Sequence, residues 1–191
     1  MFFKKIRNNI YILIKRKLVF FIATKSSYRD HCSEKTNFDI CYSYLDFIEL
    51  KKKYCFPNFS DANSRFSKGN ILFYLYNENS YISYGWATRQ TSPFFIDYFQ
   101  MNIIMVNKTM ILFDFYTNEK YRQKGYYNKI LKHILDHEKE FNLIIYTAPS
   151  NYASIKGIES VGFERIGVYT KLKLILNLIF GRSLKKIMNL P

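Results

Sequence analysis

From residue 71 onward the chain alternates short apolar runs with polar turns. ILFYLY at 71–76 and YISYGWA at 81–87 are rich in aromatic and β-branched residues. They flank Asn77-Glu78-Asn79-Ser80, which predicts a hairpin. Residues 103–106 and 110–117 predict two further strands on either side of Asn107-Lys108. The period then changes. Residues 126–140 set Ile130, Leu131, Ile134 and Leu135 on one helical stripe, with Lys129, Lys132, His133, Asp136 and Glu140 on the other side. FNLIIYTA at 141–148 has the length of a buried strand, residues 151–161 read as a helix stopped by Gly162, and 163–172 as a closing strand. A hairpin-rich first half followed by strand, helix, strand, helix, strand predicts an α/β (α+β) domain with at least one parallel crossover. The tail after residue 172 fits helix and strand patterns equally.

Upstream the pattern is weaker. Residues 44–55 put Leu45, Phe47, Ile48 and Leu50 at helical intervals, with Lys51, Lys52 and Lys53 exposed near the end. Residues 57–70 carry turn formers and a short helix, 93–99 are irregular and aromatic, and 25–37 are polar and irregular. Residues 1–25 form a basic, amphipathic N-terminal segment. Lys15-Arg16-Lys17 interrupts its apolar residues, leaving runs far below the ~20 residues of a membrane span. There is no secretory signal pattern. Peripheral contact with an anionic membrane stays open as a reading of this segment.

At 191 residues the chain reads as a single domain, 1–191, with its core at 71–168. Its net charge of +14 lies at the ends: seven basic side chains and no acid in residues 1–25, six and none after Glu164. The middle is close to neutral, unlike a nucleic-acid-binding body, so no nucleic-acid partner is expected. Cys32, Cys41 and Cys55 are odd in number and form no Cys-x-x-Cys pair, which fits free thiols in the cytoplasm. His133 and His137 stand four apart without a third ligand, so no metal is expected. His31 reads as a surface histidine.

The chemistry concentrates in residues 110–131. A strand runs into a polar turn, and the turn opens a helix through Arg122-Gln123-Lys124-Gly125-Tyr126-Tyr127. The first N–H groups of a helix lack intrahelical acceptors and sit at the positive end of its dipole. Gly125 admits a close approach of the backbone to a phosphate, and Arg122 and Lys124 add charge. The glycine spacing is neither that of a P-loop nor that of a dinucleotide fingerprint. A plain turn with solvated basic residues is the competing account.

MILFDFYTNEKYRQKGYYNKIL resembles the acyl-CoA-binding motif of the GNAT superfamily of N-acyltransferases: a strand, a turn, then Q/R-x-x-G-x-G/A opening a helix. Here the motif reads Arg122, Gly125 and Tyr127, so tyrosine fills the last small position. SNYASIKGIESVGFERIG resembles the superfamily's next helix, through Asn151, Ser154 and Gly162-Phe163. Together the two cover about residues 71–168.

The resemblance implies a GNAT fold: a mixed central sheet, flanked by helices, whose fourth and fifth strands splay apart around the pantetheine of acetyl-CoA or a longer acyl-CoA. Carried over, Phe115, Tyr116 and Thr117 line the pantetheine, with the backbone of Phe115 and Thr117 bonding its amides. The amides of Arg122, Gln123, Lys124, Gly125, Tyr126 and Tyr127 hold the pyrophosphate, and Asn151 and Ser154 lie near the pantetheine or the thioester. The acceptor amine attacks the thioester directly. Many members place an acidic tyrosine four residues before the Gly of Gly-Phe. This chain has Ile158 there, leaving Tyr152 or Tyr146 as the replacement proton donor. Asp114, the one carboxylate of its strand, is the candidate base. Structural roles compete for each of these.

YR-x-KG-x-Y together with NYASIKGIESVGF is similar to N-acyltransferases of bacterial surface-polysaccharide (lipopolysaccharide O-antigen) pathways. Those act on nucleotide-linked amino sugars, often a dTDP-linked aminodideoxyhexose. The aromatic cluster Tyr84, Trp86, Phe94, Phe95, Tyr98 and Phe99 precedes the cofactor strand and suits stacking on such an acceptor as well as core packing. Two alternatives stay open: an N-acetyltransferase acting on a protein, peptide or polyamine, and a non-catalytic membrane- or nucleic-acid-binding module on the same fold. An exposed tail strand would favour a homodimer.

Overall fold

The computed structural model of the chain describes residues 16–23, 37–78, 80–89, 93–103 and 108–170. Its elements are β1 (Lys17–Ala23), β2 (Asn37–Cys41), α1 (Tyr44–Tyr54), α2 (Ala62–Ser67), β3 (Asn70–Tyr76), β4 (Tyr81–Thr88), β5 (Phe94–Ile96), β6 (Met101–Ile103), β7 (Thr109–Thr117), α3 (Tyr126–His137), β8 (Asn142–Thr147), α4 (Tyr152–Ser160) and β9 (Glu164–Thr170). Seven strands form one mixed sheet in the order β2-β3-β4-β7-β8-β1-β9, and β5 and β6 pair separately. β7 and β8 run parallel through the predicted crossover helix α3.

Both faces of the sheet are covered, and they differ. On one face the stripe Ile130, Leu131, Ile134 and Leu135 of α3 is buried, together with Ile155 and Ile158 of α4, over Phe73, Met110 and Leu112. The other face is aromatic. There α1 and α2 bring Phe47 and Phe66 against Tyr74, Tyr84 and Trp86, while the β5–β6 hairpin sets Ile96, Phe99 and Ile103 over Phe20, Ile144 and Tyr169. A sheet buried on both faces needs nearly continuous apolar strands, which is why β3, β4 and the first half of β7 are rich in apolar residues.

Several boundaries differ from the sequence reading. The end of the N-terminal segment is not a surface element. KLVFFIA forms β1, buried at six of its seven positions and paired antiparallel with both β8 and β9, Phe20 opposite Tyr146 and Gly167. β2 joins the far edge as Phe38 and Ile40 pair with Leu75 and Phe73 of β3. Residues 94–96 form a short strand, and the strand expected at 103–106 is β6, with 104–107 outside the described residues. Residues 1–15, His31, Cys32 and the tail beyond residue 170 also lie outside them.

Helix α3 stops at His137 where the pattern ran to Glu140, because Glu138 turns inward. Glu138 is 2% exposed and its carboxylate accepts from the Arg89 guanidinium and stands 3.1 Å from His137 Nδ1. Removing one partner of a buried ion pair leaves an uncompensated charge. Arg89→Ala is therefore expected to lower unfolding stability by about 3 kcal/mol, read from urea denaturation, because it leaves the buried Glu138 carboxylate without its guanidinium.

Candidate active site

The β7–β8 ladder is short. Its four pairs end at Leu112 opposite Ile145, yet β7 continues to Thr117 and β8 to Thr147. Past Leu112, β7 is paired only with β4, and past Ile145, β8 is paired only with β1. Asn118 N–H donates to Ile82 O on β4 at 2.9 Å. The two-residue alternation of a strand then sends the N–H and C=O of Thr117 and Phe115 to the opposite edge. That edge faces the gap, and Thr117 O already accepts from Arg122 Nε at 3.2 Å.

A β-bulge re-aims the tip of β7. The register with β4 shifts between Tyr84 and Trp86, and Asp114 takes a left-handed φ of 50°. A bulge bends its strand and lets neighbouring side chains share a face. Phe113 and Asp114 thus both meet the α1/α2 side. Phe115 turns to the α3/α4 side, its ring edge-on to Tyr127 at 5.7 Å. Gly85 of β4 makes room for that ring, since a Cβ there would stand 2.2 Å from Phe115 Cε1.

Asp114 is held by a residue that the sequence reading did not single out. Arg65 of α2 donates from Nε to Asp61 Oδ2 and from Nη2 to Asp114 Oδ2, both at 2.7 Å. Its guanidinium lies 5.0 Å from the Trp86 ring centre and 5.5 Å from that of Phe113. The remaining Nη1 is buried without a hydrogen-bond partner, so the aromatic faces provide its electrostatic compensation. No sequence signal ties Arg65 to Asp114, because the two lie 49 residues apart.

Beside this cluster stand two tyrosines. Tyr84 stacks on Tyr116 at 5.7 Å, and burial pushes its phenol up to about 12. Tyr146, where β8 leaves β7, packs its ring 5.6 Å from Phe20. Burial first, and the Asp114 carboxylate next, raise its phenol well above the ordinary tyrosine range. The phenol therefore stays protonated at neutral pH. Tyr152 is 73% exposed on the first turn of α4, so of the two candidate donors it is Tyr146 that stands on the Asp114 side.

The turn after β7 leads into an open helix start. Gln123 (φ 61°) and Gly125 (φ 76°) are both left-handed, and Gly125 is the N-cap of α3 with no side-chain cap and no acid in the first turn. A Cβ built on Gly125 meets nothing within 4 Å. The corner is not plugged by the protein's own atoms. Arg122 lies over the Tyr116 ring and Lys124 over Tyr121, both at its edge. The tyrosine in the last small motif position leaves this corner clear. Tyr127 tucks between α3 and α4, where Ser154 Oγ donates to its hydroxyl at 3.1 Å, and burial raises its phenol to about 12. Gly157 compensates, since a Cβ there would lie 2.7 Å from Tyr127 Cδ1. Asn151 caps α4 by accepting from Ser154 N–H at 3.2 Å, so both residues carry structural bonds. His133 stacks on Phe38 at 4.8 Å, and among the described residues no three His, Cys, Asp or Glu side chains cluster as metal ligands.

Comparison with known proteins agrees with this geometry. A family model described as the acetyltransferase (GNAT) family matches residues 39–163. No curated protein matches the chain. Among solved structures, an acetyltransferase from the GNAT family of Colwellia psychrerythraea superposes with a TM-score of 0.52 at 14% identity, covering 78% of this chain and 53% of its own. A conserved protein of unknown function from Staphylococcus epidermidis gives 0.52 at 14%, covering 80% and 59%. A GCN5-related N-acetyltransferase from Kribbella flavida gives 0.51 at 6%, covering 83% and 60%. The chain thus spans little more than half the length of these structures, and at such identities they speak to the fold alone. With the family model covering most of the chain, the parted strands and the open helix start identify the chain as a member of the GNAT acetyltransferase family.

Proposed function

We propose that the chain is an acyl-CoA-dependent N-acyltransferase whose acceptor is the amine of a nucleotide-linked amino sugar. One observation carries the first half: the early end of the β7–β8 ladder, which leaves main-chain groups of Phe115 and Thr117 facing a gap that leads to the uncapped start of α3. Pantetheine pairs with that free edge as a further strand would. The pyrophosphate takes the N–H groups of residues 123–127, with Arg122 and Lys124 beside it.

The acceptor approaches from the α1/α2 face, where Asp114 projects. Its neutral amine attacks the thioester carbonyl carbon, the new C–N bond forms, the C–S bond breaks, and CoA leaves as a thiolate. Asp114, directly or through a water, takes the proton the amine loses, and the neutral Tyr146 phenol gives a proton to the sulfur. No acyl-enzyme is required. Holding the two reactants in line is the larger part of the work.

The partly buried rings of Phe94 and Tyr116, backed by the buried Tyr84 and Trp86, support an acceptor that presents a sugar ring. A polyamine would need several unmatched carboxylates, and Asp61 and Asp114 share the Arg65 guanidinium, which leaves one net negative charge between them. Lys17–Ala23 is used inside the sheet, which takes that stretch out of any membrane contact. Among the described residues no helix is long and apolar enough to cross a membrane. The reading fits the cytoplasm, where acyl-CoA and nucleotide sugars meet. Free thiol should be released when acyl-CoA is mixed with the correct nucleotide-linked amino sugar. No release across a panel of such sugars, with acyl-CoA bound, would remove the acceptor assignment.

A further inference from the structure

A cavity of about 290 Å³ lies between α1 and the segment before α2, apart from the cofactor gap. Its apolar lining comes from Phe47, Ile48 and Phe59, with Phe47 and Phe59 ring centres 5.5 Å apart. Tyr44, Lys51, Lys52 and Asn58 complete it. Lys51 Nζ donates to Asn58 Oδ1 at 2.9 Å, which ties the helix to the loop and leaves two further donors on the ammonium. Lys52 pairs with Glu49 at 2.8 Å in solvent, and Lys53 follows, so cations outnumber the local carboxylate. Lysines in a last turn also offset a helix dipole, but that accounts for only about half an elementary charge. The cavity is at the small end of ligand pockets, roughly 300–1,000 Å³, which suits one planar ring and excludes a whole nucleotide sugar.

Its position relative to the gap gives it meaning. Phe59 lines the cavity and also packs edge-on to Tyr84 at 5.1 Å, and Tyr84 stacks on Tyr116 of β7 at 5.7 Å. The cavity and the tip of β7 are thus two ring contacts apart, a span that a diphosphate with its sugar covers. We propose that this cavity binds the base of a nucleoside diphosphate, with Lys51 and Lys52 facing the phosphates, so that the attached amino sugar reaches past Phe59 to Asp114. The inference rests on the nucleotide-sugar reading above and names the part of the chain that selects the nucleotide. Planar rings stack on aromatic side chains, and ammonium groups supply charge-assisted bonds to phosphate oxygens.

The test is calorimetric titration of thymidine diphosphate, uridine diphosphate and inorganic phosphate into the full chain without CoA. The same titrations are made on the surface variant Lys51→Ala/Lys52→Ala and on Phe59→Leu. The wild type should bind a nucleoside diphosphate more tightly than phosphate. The lysine variant should lose at least about tenfold of that affinity, while its melting shift with CoA stays as in the wild type. The Michaelis constant for a nucleotide-linked acceptor should rise in parallel and that for acyl-CoA should not. Equal affinity in wild type and lysine variant, no diphosphate binding by the wild type, or binding no tighter than phosphate would overturn the proposal. The two readings separate cleanly. Lysine-dependent diphosphate binding without acyl transfer to any nucleotide sugar sinks the acceptor assignment and keeps the pocket. Transfer with an unchanged acceptor Michaelis constant in Lys51→Ala/Lys52→Ala sinks the pocket and keeps the assignment.

Discussion

Gly125→Val is expected to abolish CoA binding while leaving a folded protein. Gly125 holds a φ of 76°, a conformation that costs an L-residue roughly 1–2 kcal/mol, and a β-branched side chain sits at the upper end of that range. Nothing of the protein's own lies within 4 Å of the added Cβ, so the fold loses little beyond this backbone cost. The new methyl groups instead occupy the space over the helix start where the pyrophosphate must approach. Each lost charge-assisted hydrogen bond is worth about 1.5–3 kcal/mol, and two or more are at stake, so affinity should fall at least about a hundredfold. Gly125→Asn separates the two effects, because asparagine adopts the left-handed region readily. It should melt close to the wild type and still bind CoA poorly. Undiminished affinity in either variant would put the diphosphate elsewhere.

The second large effect concerns Asp114 and its clamp. Asp114→Asn keeps the side-chain size and a residue type that tolerates positive φ, and it breaks a partly exposed ion pair whose contribution to stability is below about 1 kcal/mol. Turnover should nonetheless fall about 10²–10⁴-fold, with the Michaelis constant for acyl-CoA little changed. Arg65 acts one step back. Its guanidinium spans Asp61 and Asp114 while stacking on Trp86 and Phe113, a planar fork that an ammonium cannot reproduce. Arg65→Lys should therefore lose turnover as well. If Asp114→Asn kept wild-type turnover, the carboxylate would be structural and the base would lie elsewhere.

Much of the fold was legible in the sequence because its central elements are local. The hairpin at Asn77–Ser80, the stripe Ile130-Leu131-Ile134-Leu135 and the run 142–147 each announce themselves within a dozen residues. β1 did not, since its whole meaning is long-range. Leu18 pairs with Tyr169 and Val19 with Thr147, more than a hundred residues on, and the preceding basic triplet makes the run look like part of a surface segment. β2 was hidden by its brevity and by Asp39, which accepts a hydrogen bond from Tyr74. In the candidate site, the open helix start was readable because glycine, a turn and a helix are sequential. Asp114 was readable as the one carboxylate in its strand. The bulge that aims it was not, as it shows only in the register with Gly85. Arg65 was not readable either, because an arginine in a polar segment looks the same whether it meets solvent or a carboxylate across the sheet. Tyr127 filled a position where the motif has a small residue, and only the packing explains it: Gly157, thirty residues later, has given up the space.

Amide hydrogen exchange, measured residue by residue with and without CoA, tests the central claim most directly. CoA should slow exchange at Phe115 and Thr117 on the free edge of β7 and at residues 123–127, while the α1–α2 face stays as it was. Unchanged exchange at both stretches in a chain saturated with CoA would mean that the parted strands and the open helix start are not where the cofactor lies.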